Sequence, residues 1–169
     1  LPIQILSLSN LGSIETKLGN LQPAEQLFSS AISWIERLHR QNKAFDADSF
    51  AVVYSDAAFL SIEAGKYRRA AAHLEKIKSS IGSVYEIERL KIQLVRCEYF
   101  LAVGQVAKSG DLLCLLRDSP TFRTHFFQIE QTLLEIRLKD HPYEHASIEA
   151  LEQAVDAADK LGTSYQRCR

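Results

Sequence analysis

The sequence predicts an all-α chain of eight helices joined by short turns. Three features point to it. Apolar residues recur at steps of three and four through most of the chain, which is the spacing of one helix face. No segment alternates apolar and polar residues for long enough to form a strand. The seven glycines and four prolines fall mostly between the periodic segments, where helices start and stop.

In helix one, Ile5, Leu8, Leu11, Ile14 and Leu18 share a face, and Gly19-Asn20 ends it. Pro23 lies near the first turn of helix two, where its missing N–H costs nothing. Ala24, Leu27, Phe28, Ala31, Ile35 and Leu38 form the inner face of that helix, to about residue 39. A mostly polar stretch follows. Asp48 or Ser49 suits the cap of helix three. Its apolar face is Phe50, Val53, Tyr54, Ala57, Ala58 and Leu60, and Gly65 ends it. Helix four spans about 67–78, with Ala70, Leu74 and Ile77 inward, before a break at Gly82-Ser83. Helix five spans about 84–103 and closes at Gly104. Helix six, about 106–117, carries Leu112, Leu113, Leu115 and Leu116, with Gly110 weakening its first turns. Helix seven spans about 121–138. Helix eight spans about 145–161, with Gly162 as its C-cap.

A chain of 169 residues can bury a core of its own. The net charge of −1 argues against a broad electrostatic grip on nucleic acid or on anionic lipid. Cys97, Cys114 and Cys168 match no zinc spacing and no disulfide framework. A reducing compartment, cytoplasmic or nuclear, is therefore expected. No apolar run approaches the ~20 residues that span a bilayer, and no signal peptide is visible. Methionine is absent and the sequence opens Leu1-Pro2-Ile3, so a segment of a longer protein is expected.

Spacing then repeats. Five, nine and twelve residues after Gly19 come Ala24, Phe28 and Ala31. The same offsets from Gly65 give Ala70, Leu74 and Ile77, and from Gly104 they give Ser109, Leu113 and Leu116. A small residue early in a second helix lets its backbone approach the first, and the large residue one turn later fills the groove. Gly12 plays the matching part in helix one, and Ala58 does so in helix three.

Leu8, Leu11-Gly12, Gly19, Ala24, Phe28 and Ala31 resemble the tetratricopeptide repeat, and Tyr54, Ala57-Ala58, Gly65, Ala70 and Leu74 follow. In the third unit Arg96-Cys97 stands where Leu-Gly is expected, while Phe100 and Gly104 hold. In the fourth only Ala150, Ala154 and Ala157 keep the spacing. The intervals of 46 and 39 residues between turn glycines exceed the family's 34. They are similar to long-repeat variants such as kinesin light chain, to helical-repeat subunits of large cell-division complexes and to effector-sensing arrays of some bacterial regulators, and no motif chooses among these. The resemblance implies one domain: a right-handed α–α superhelix of about four repeats, near 3–40, 47–79, 84–118 and 121–162. It also implies a non-catalytic adaptor that binds a partner helix or extended segment in its concave groove. The alternative is a regulatory array that senses a peptide or small effector and relays it to another domain.

In the resembled family the first helix of each repeat lines the groove. Here that gives Leu6, Ser9 and Ser13, then Val52, Ser55, Asp56 and Phe59, then Lys91, Leu94, Val95 and Glu98. Relatives that clamp chaperone C-terminal tails use cations and amides against a carboxylate. At the matching places only Lys91 suits one and Asp56 repels it, so that ligand is not expected.

Catalytic signals are weak. His141 and His145 stand four apart beside Glu144, but Pro142 breaks the helix that would align them as metal ligands. His39, His73 and His125 are isolated and read as partly exposed helix residues. Cys97 and Cys114 read as core, and Cys168, between two arginines at the chain end, as incidental. No phosphate loop or nucleophile elbow occurs. No enzyme, cofactor or metal is expected. Lys66, Arg68 and Arg69 form the densest basic spot, too small alone for nucleic acid. Phe28 and Tyr54 read as core, Trp34 as packed between repeats, and one of Phe126 and Phe127 as groove-facing.

Overall fold

The computed structural model describes residues 2–41, 46–119 and 125–138, with 152–153 and 155–156 also helical. Seven α-helices and one short 3-10 turn, Ile81–Ser83, make up the described elements, and no strand occurs among them. The helices are α1 (Pro2–Lys17), α2 (Leu21–Arg40), α3 (Ala47–Glu63), α4 (Tyr67–Ile77), α5 (Glu86–Ala102), α6 (Val106–Arg117) and α7 (His125–Leu138). The remainder of the expected eighth helix, together with His141, His145 and Cys168, lies outside the described residues. So do the side chains of His125, Phe126 and Phe127.

Three turns of one geometry join the helices into antiparallel pairs. Gly19, Gly65 and Gly104 adopt φ of +80°, +69° and +75°, the left-handed region that glycine enters without a Cβ clash. Each makes the two hydrogen bonds of a Schellman C-cap. The glycine N–H donates to the carbonyl three back, on Thr16, Ile62 and Leu101. The next N–H donates to the carbonyl five back, on Glu15, Ser61 and Phe100, at 2.8, 2.7 and 2.7 Å. The orphan carbonyls of each first helix are thus satisfied by the residues that launch the second.

Close approach follows the small residues. Ala24, Ala31, Ala58, Ala70 and Ser109 are all fully buried, as are Phe28 and Tyr54. Ser109 replaces an alanine without leaving its hydroxyl idle, because Oγ donates to the Cys97 carbonyl at 2.9 Å. α1 packs on α2, α3 on α4 and α5 on α6, while α3 also contacts α1 and α2, and α5 also contacts α3 and α4. The main core therefore runs along the stack, from Ile5 through Ala31, Ile35, Tyr54 and Ile77 to Ile92. A second cluster joins Leu90, Leu94 and Cys97 to Leu113, Leu116 and Leu134. Ion pairs tie the second helices side by side and parallel. Glu25 of α2 meets Lys66 and Arg69 at the start of α4, and Glu36 meets Lys76 further along. The densest basic spot is thus partly neutralised by α2.

Several sequence expectations are corrected. Asp46, not Asp48 or Ser49, caps α3, accepting the Ser49 N–H at 2.8 Å, while Asp48 accepts the Tyr85 N–H. Helix five begins at Glu86, since the chain at 81–83 turns as a 3-10 helix and Val84 is extended. Cys114 is exposed, because α6 buries Ser109, Leu113 and Leu116 and the next residue turns outward. Leu115 is exposed for the same reason. His73 is buried, with neither ring nitrogen hydrogen-bonded. Burial, aided by Arg69 and Lys76, pulls its pKa down to about 4, so the ring is neutral at pH 7. On α1 the apolar stripe divides: Ile5 is buried, whereas Leu11, Ile14 and Leu18 are exposed. Trp34 packs against the main core with the Arg37 guanidinium 5.2 Å from its ring.

Candidate functional site

The first helices of the three pairs, α1, α3 and α5, enclose an open cleft of about 860 Å³. Stacking produces it: α3 contacts α1 on one side and α5 on the other. α1 lends Asn10, Ser13, Ile14, Thr16 and Lys17; α3 lends Val52, Asp56 and Phe59; α5 lends Ile87, Glu88 and Lys91. On α3 the steps are four and three residues, and on α1 and α5 the lining residues fall within two turns, so one side of each helix borders the space.

Asp56 is the polar centre of the cleft. Ser13 Oγ donates to its carboxylate at 2.6 Å, joining α1 to α3. Burial pushes the Asp56 pKa up to about 6, against the Ser13 hydrogen bond and the nearby Lys17 and Lys91 ammonium groups. Glu88 adds to the rise and pairs with Lys91 at 2.9 Å. Val52, Phe59, Ile14 and Ile87 supply apolar wall. The charges nearly balance, and the polar groups are the hydroxyls of Ser13 and Thr16, the Asn10 amide, the ammonium groups of Lys17 and Lys91, and the accepting carboxylates of Asp56 and Glu88. That inventory suits a ligand held by shape and a few polar contacts.

Of the eleven residues expected to line a groove, Ser13, Val52, Asp56, Phe59 and Lys91 meet in this cleft. Leu6 and Val95 are half-buried and do not line it. Ser9, Ser55, Leu94 and Glu98 are buried. Leu94 belongs to the core shared with α6 and α7, and Glu98 is ion-paired with Arg137 of α7. Sequence reasoning missed Asn10, Ile14, Thr16, Lys17, Ile87 and Glu88. A signal for three of the α1 residues existed: Asn10, Ile14 and Lys17 share a helical face with Ser13, which was chosen.

Elsewhere, Cys97 is buried and its thiol is pushed up to about 12, mainly by burial, which keeps it protonated and unreactive. Among the described residues no group of three or more His, Cys, Asp or Glu converges as metal ligands. No helix among them is long and apolar enough to cross a membrane.

Compared with known proteins, the chain matches no family model, no curated sequence and no solved structure.

Proposed function

We propose that the chain is a tetratricopeptide-like helical array whose α1/α3/α5 cleft binds a segment of a partner protein, as a non-catalytic adaptor. The observation that carries this reading is the cleft itself, where the three first helices set Ile14, Val52, Phe59 and Ile87 beside a polar group that includes Ser13, Asp56, Glu88 and Lys91. Three identical C-caps and fully buried small residues at fixed offsets support the superhelical arrangement of repeats. An amphipathic helix or an extended segment suits such a trough, burying side chains against Val52 and Phe59 while offering a donor to Asp56. A chaperone tail's terminal carboxylate suits it poorly, since Asp56 and Glu88 would face it. Nucleic acid and membrane are not proposed as partners, and no cofactor is required.

A sensor array for a small effector is the alternative. It calls for an enclosed cavity, and the cleft lies open along three helices, which favours a segment over an effector.

Affinity capture from a cell extract tests the proposal, with the chain set against Phe59→Glu and Lys91→Glu. Capture should be lost in both variants while helicity by circular dichroism is retained. A partner held equally by all three proteins would remove the cleft from consideration.

A further inference from the structure

The second junction between helix pairs is not built like the first. Where α2 meets α3, Ala24, Phe28, Ala57 and Leu60 close into one buried cluster. Where α4 meets α5, the same offsets from the turn glycines give Ala70, Leu74, Arg96 and Tyr99. A leucine stands for the phenylalanine and an arginine for the alanine. This junction keeps a cavity of about 170 Å³. Ala71 and Leu74 of α4 and Ile81 of the 3-10 turn line it with carbon. From α5 come the rings of Tyr99 and Phe100, whose centroids are 5.8 Å apart. Arg96 lines it too and is half-buried. Its Nη1 donates to the Gln93 side chain at 2.9 Å, and its guanidinium stands 6.0 Å from the Phe100 ring. No carboxylate pairs with Arg96 among the described residues. Glu75 reaches the cavity, but both its oxygens accept from Lys78, at 3.1 and 3.4 Å. The lining therefore carries one positive charge in excess.

We propose that the α4–α5 cavity binds a small aryl carboxylate, with its ring among Leu74, Tyr99 and Phe100 and its carboxylate on the Arg96 guanidinium. Volume sets the size of the ligand. The cavity is close to the about 150 Å³ of an apolar cavity that holds one benzene ring, so a single ring fits and a peptide segment does not. Charge sets its sign. A half-buried cation without a counter-charge is answered by an anion, and the guanidinium fork takes a carboxylate in two parallel hydrogen bonds. Ring contacts with Tyr99 and Phe100 suit an aromatic body over an aliphatic one. No residue of this cavity lines the α1/α3/α5 cleft. The site therefore goes beyond the adaptor reading, and neither depends on the other.

The probe is sodium benzoate, titrated into the intact chain and followed by backbone amide NMR shifts. Saturable shifts are expected at the α4–α5 junction, with a Kd on the order of 1 mM. Benzamide, of the same shape but uncharged, should bind at least about tenfold more weakly, the factor that ~1.4 kcal/mol produces. Arg96→Gln should bind benzoate no better than benzamide. Leu74→Phe restores the residue of the first junction and should abolish binding by filling the space. Should that variant not melt cooperatively, Ala71→Leu fills the cavity from a half-buried position. No saturable shift, shifts centred away from the junction, equal binding of benzamide, or unchanged benzoate binding by Arg96→Gln overturns the proposal. Phe59→Glu, the cleft variant, should bind benzoate as the parent does, so loss of cleft capture and loss of this site are read separately.

Discussion

A Cβ placed on Gly12 would stand 2.8 Å from Cε2 of Phe28. The α1 backbone thus lies directly on the aromatic ring of α2, and only a hydrogen fits between them. Such overpacking costs typically about 1–3 kcal/mol, while alanine gains about 1 kcal/mol over glycine in a helix interior. Gly12→Val, which adds bulk without that propensity gain, should lower stability by about 2 kcal/mol in urea denaturation. Phe28→Ala should cost about 3–5 kcal/mol. In a Phe28→Leu background, Gly12→Ala should become neutral or stabilising. If its effect is the same in both backgrounds, the ring is not what constrains Gly12.

The three turn glycines offer a cleaner measurement, because a Cβ on any of them would meet nothing within 4 Å. Only backbone conformation is at stake. Gly19→Ala, Gly65→Ala and Gly104→Ala should each destabilise by about 1–2 kcal/mol, the cost of a non-glycine residue in the left-handed region. Thermal melts of the three variants should shift together. A turn that accepts alanine freely does not share the cap geometry.

Asp56 and His73 pull the pH dependence of stability in opposite directions. Asp56 has its folded pKa raised from 3.8 to about 6, so the folded chain holds the proton more tightly. Stability is gained as pH falls across that window, by on the order of 3 kcal/mol. His73 has its folded pKa lowered from 6.5 to about 4, so the unfolded chain holds the proton more tightly. Its contribution is present above 6.5 and is lost as pH falls toward 4, again by on the order of 3 kcal/mol. These two contributions nearly cancel in the parent. His73→Leu should therefore gain stability between pH 6.5 and 4, and Asp56→Asn should lose it. A flat profile in either variant would show that the remaining group does not titrate as buried.

Glu25 joins two helices but stabilises little. Its carboxyl is held below the usual range by Lys66, and by Arg69 as well, yet all three side chains are a third or more exposed. Glu25→Gln should cost under about 1 kcal/mol. The difference should shrink in 1 M salt, where the Debye length is about 3 Å. A large, salt-independent loss would mean that the pair is structural rather than superficial.

Much of the fold was legible because turns and close contacts leave marks in single residues. Gly19, Gly65 and Gly104 announce left-handed caps, and Gly12, Ala24, Ala31, Ala58 and Ala70 announce close approach. Caps chosen among neighbours were less legible: Asp46 and Asp48 are chemically alike, and only the fold shows that Asp48 is occupied by the Tyr85 N–H. Cleft residues were legible in part. α3 buries residues on nearly every side, so periodicity alone does not say which face stays open, and Ser55 and Phe59 looked equivalent. The exposure of Leu11, Ile14 and Leu18 was not legible for a related reason, since periodicity marks an apolar stripe but not whether it is covered.

Partner contact through the α1/α3/α5 cleft is tested by a photo-cross-linking residue placed at Ile87. Ile87 lies on the cleft wall and is exposed, whereas Leu115 of α6 is exposed and does not line the cleft. Irradiation in a cell extract should attach a partner to the chain labelled at position 87 and not to the chain labelled at 115. Equal attachment at both positions, or attachment at 115 alone, would contradict the account.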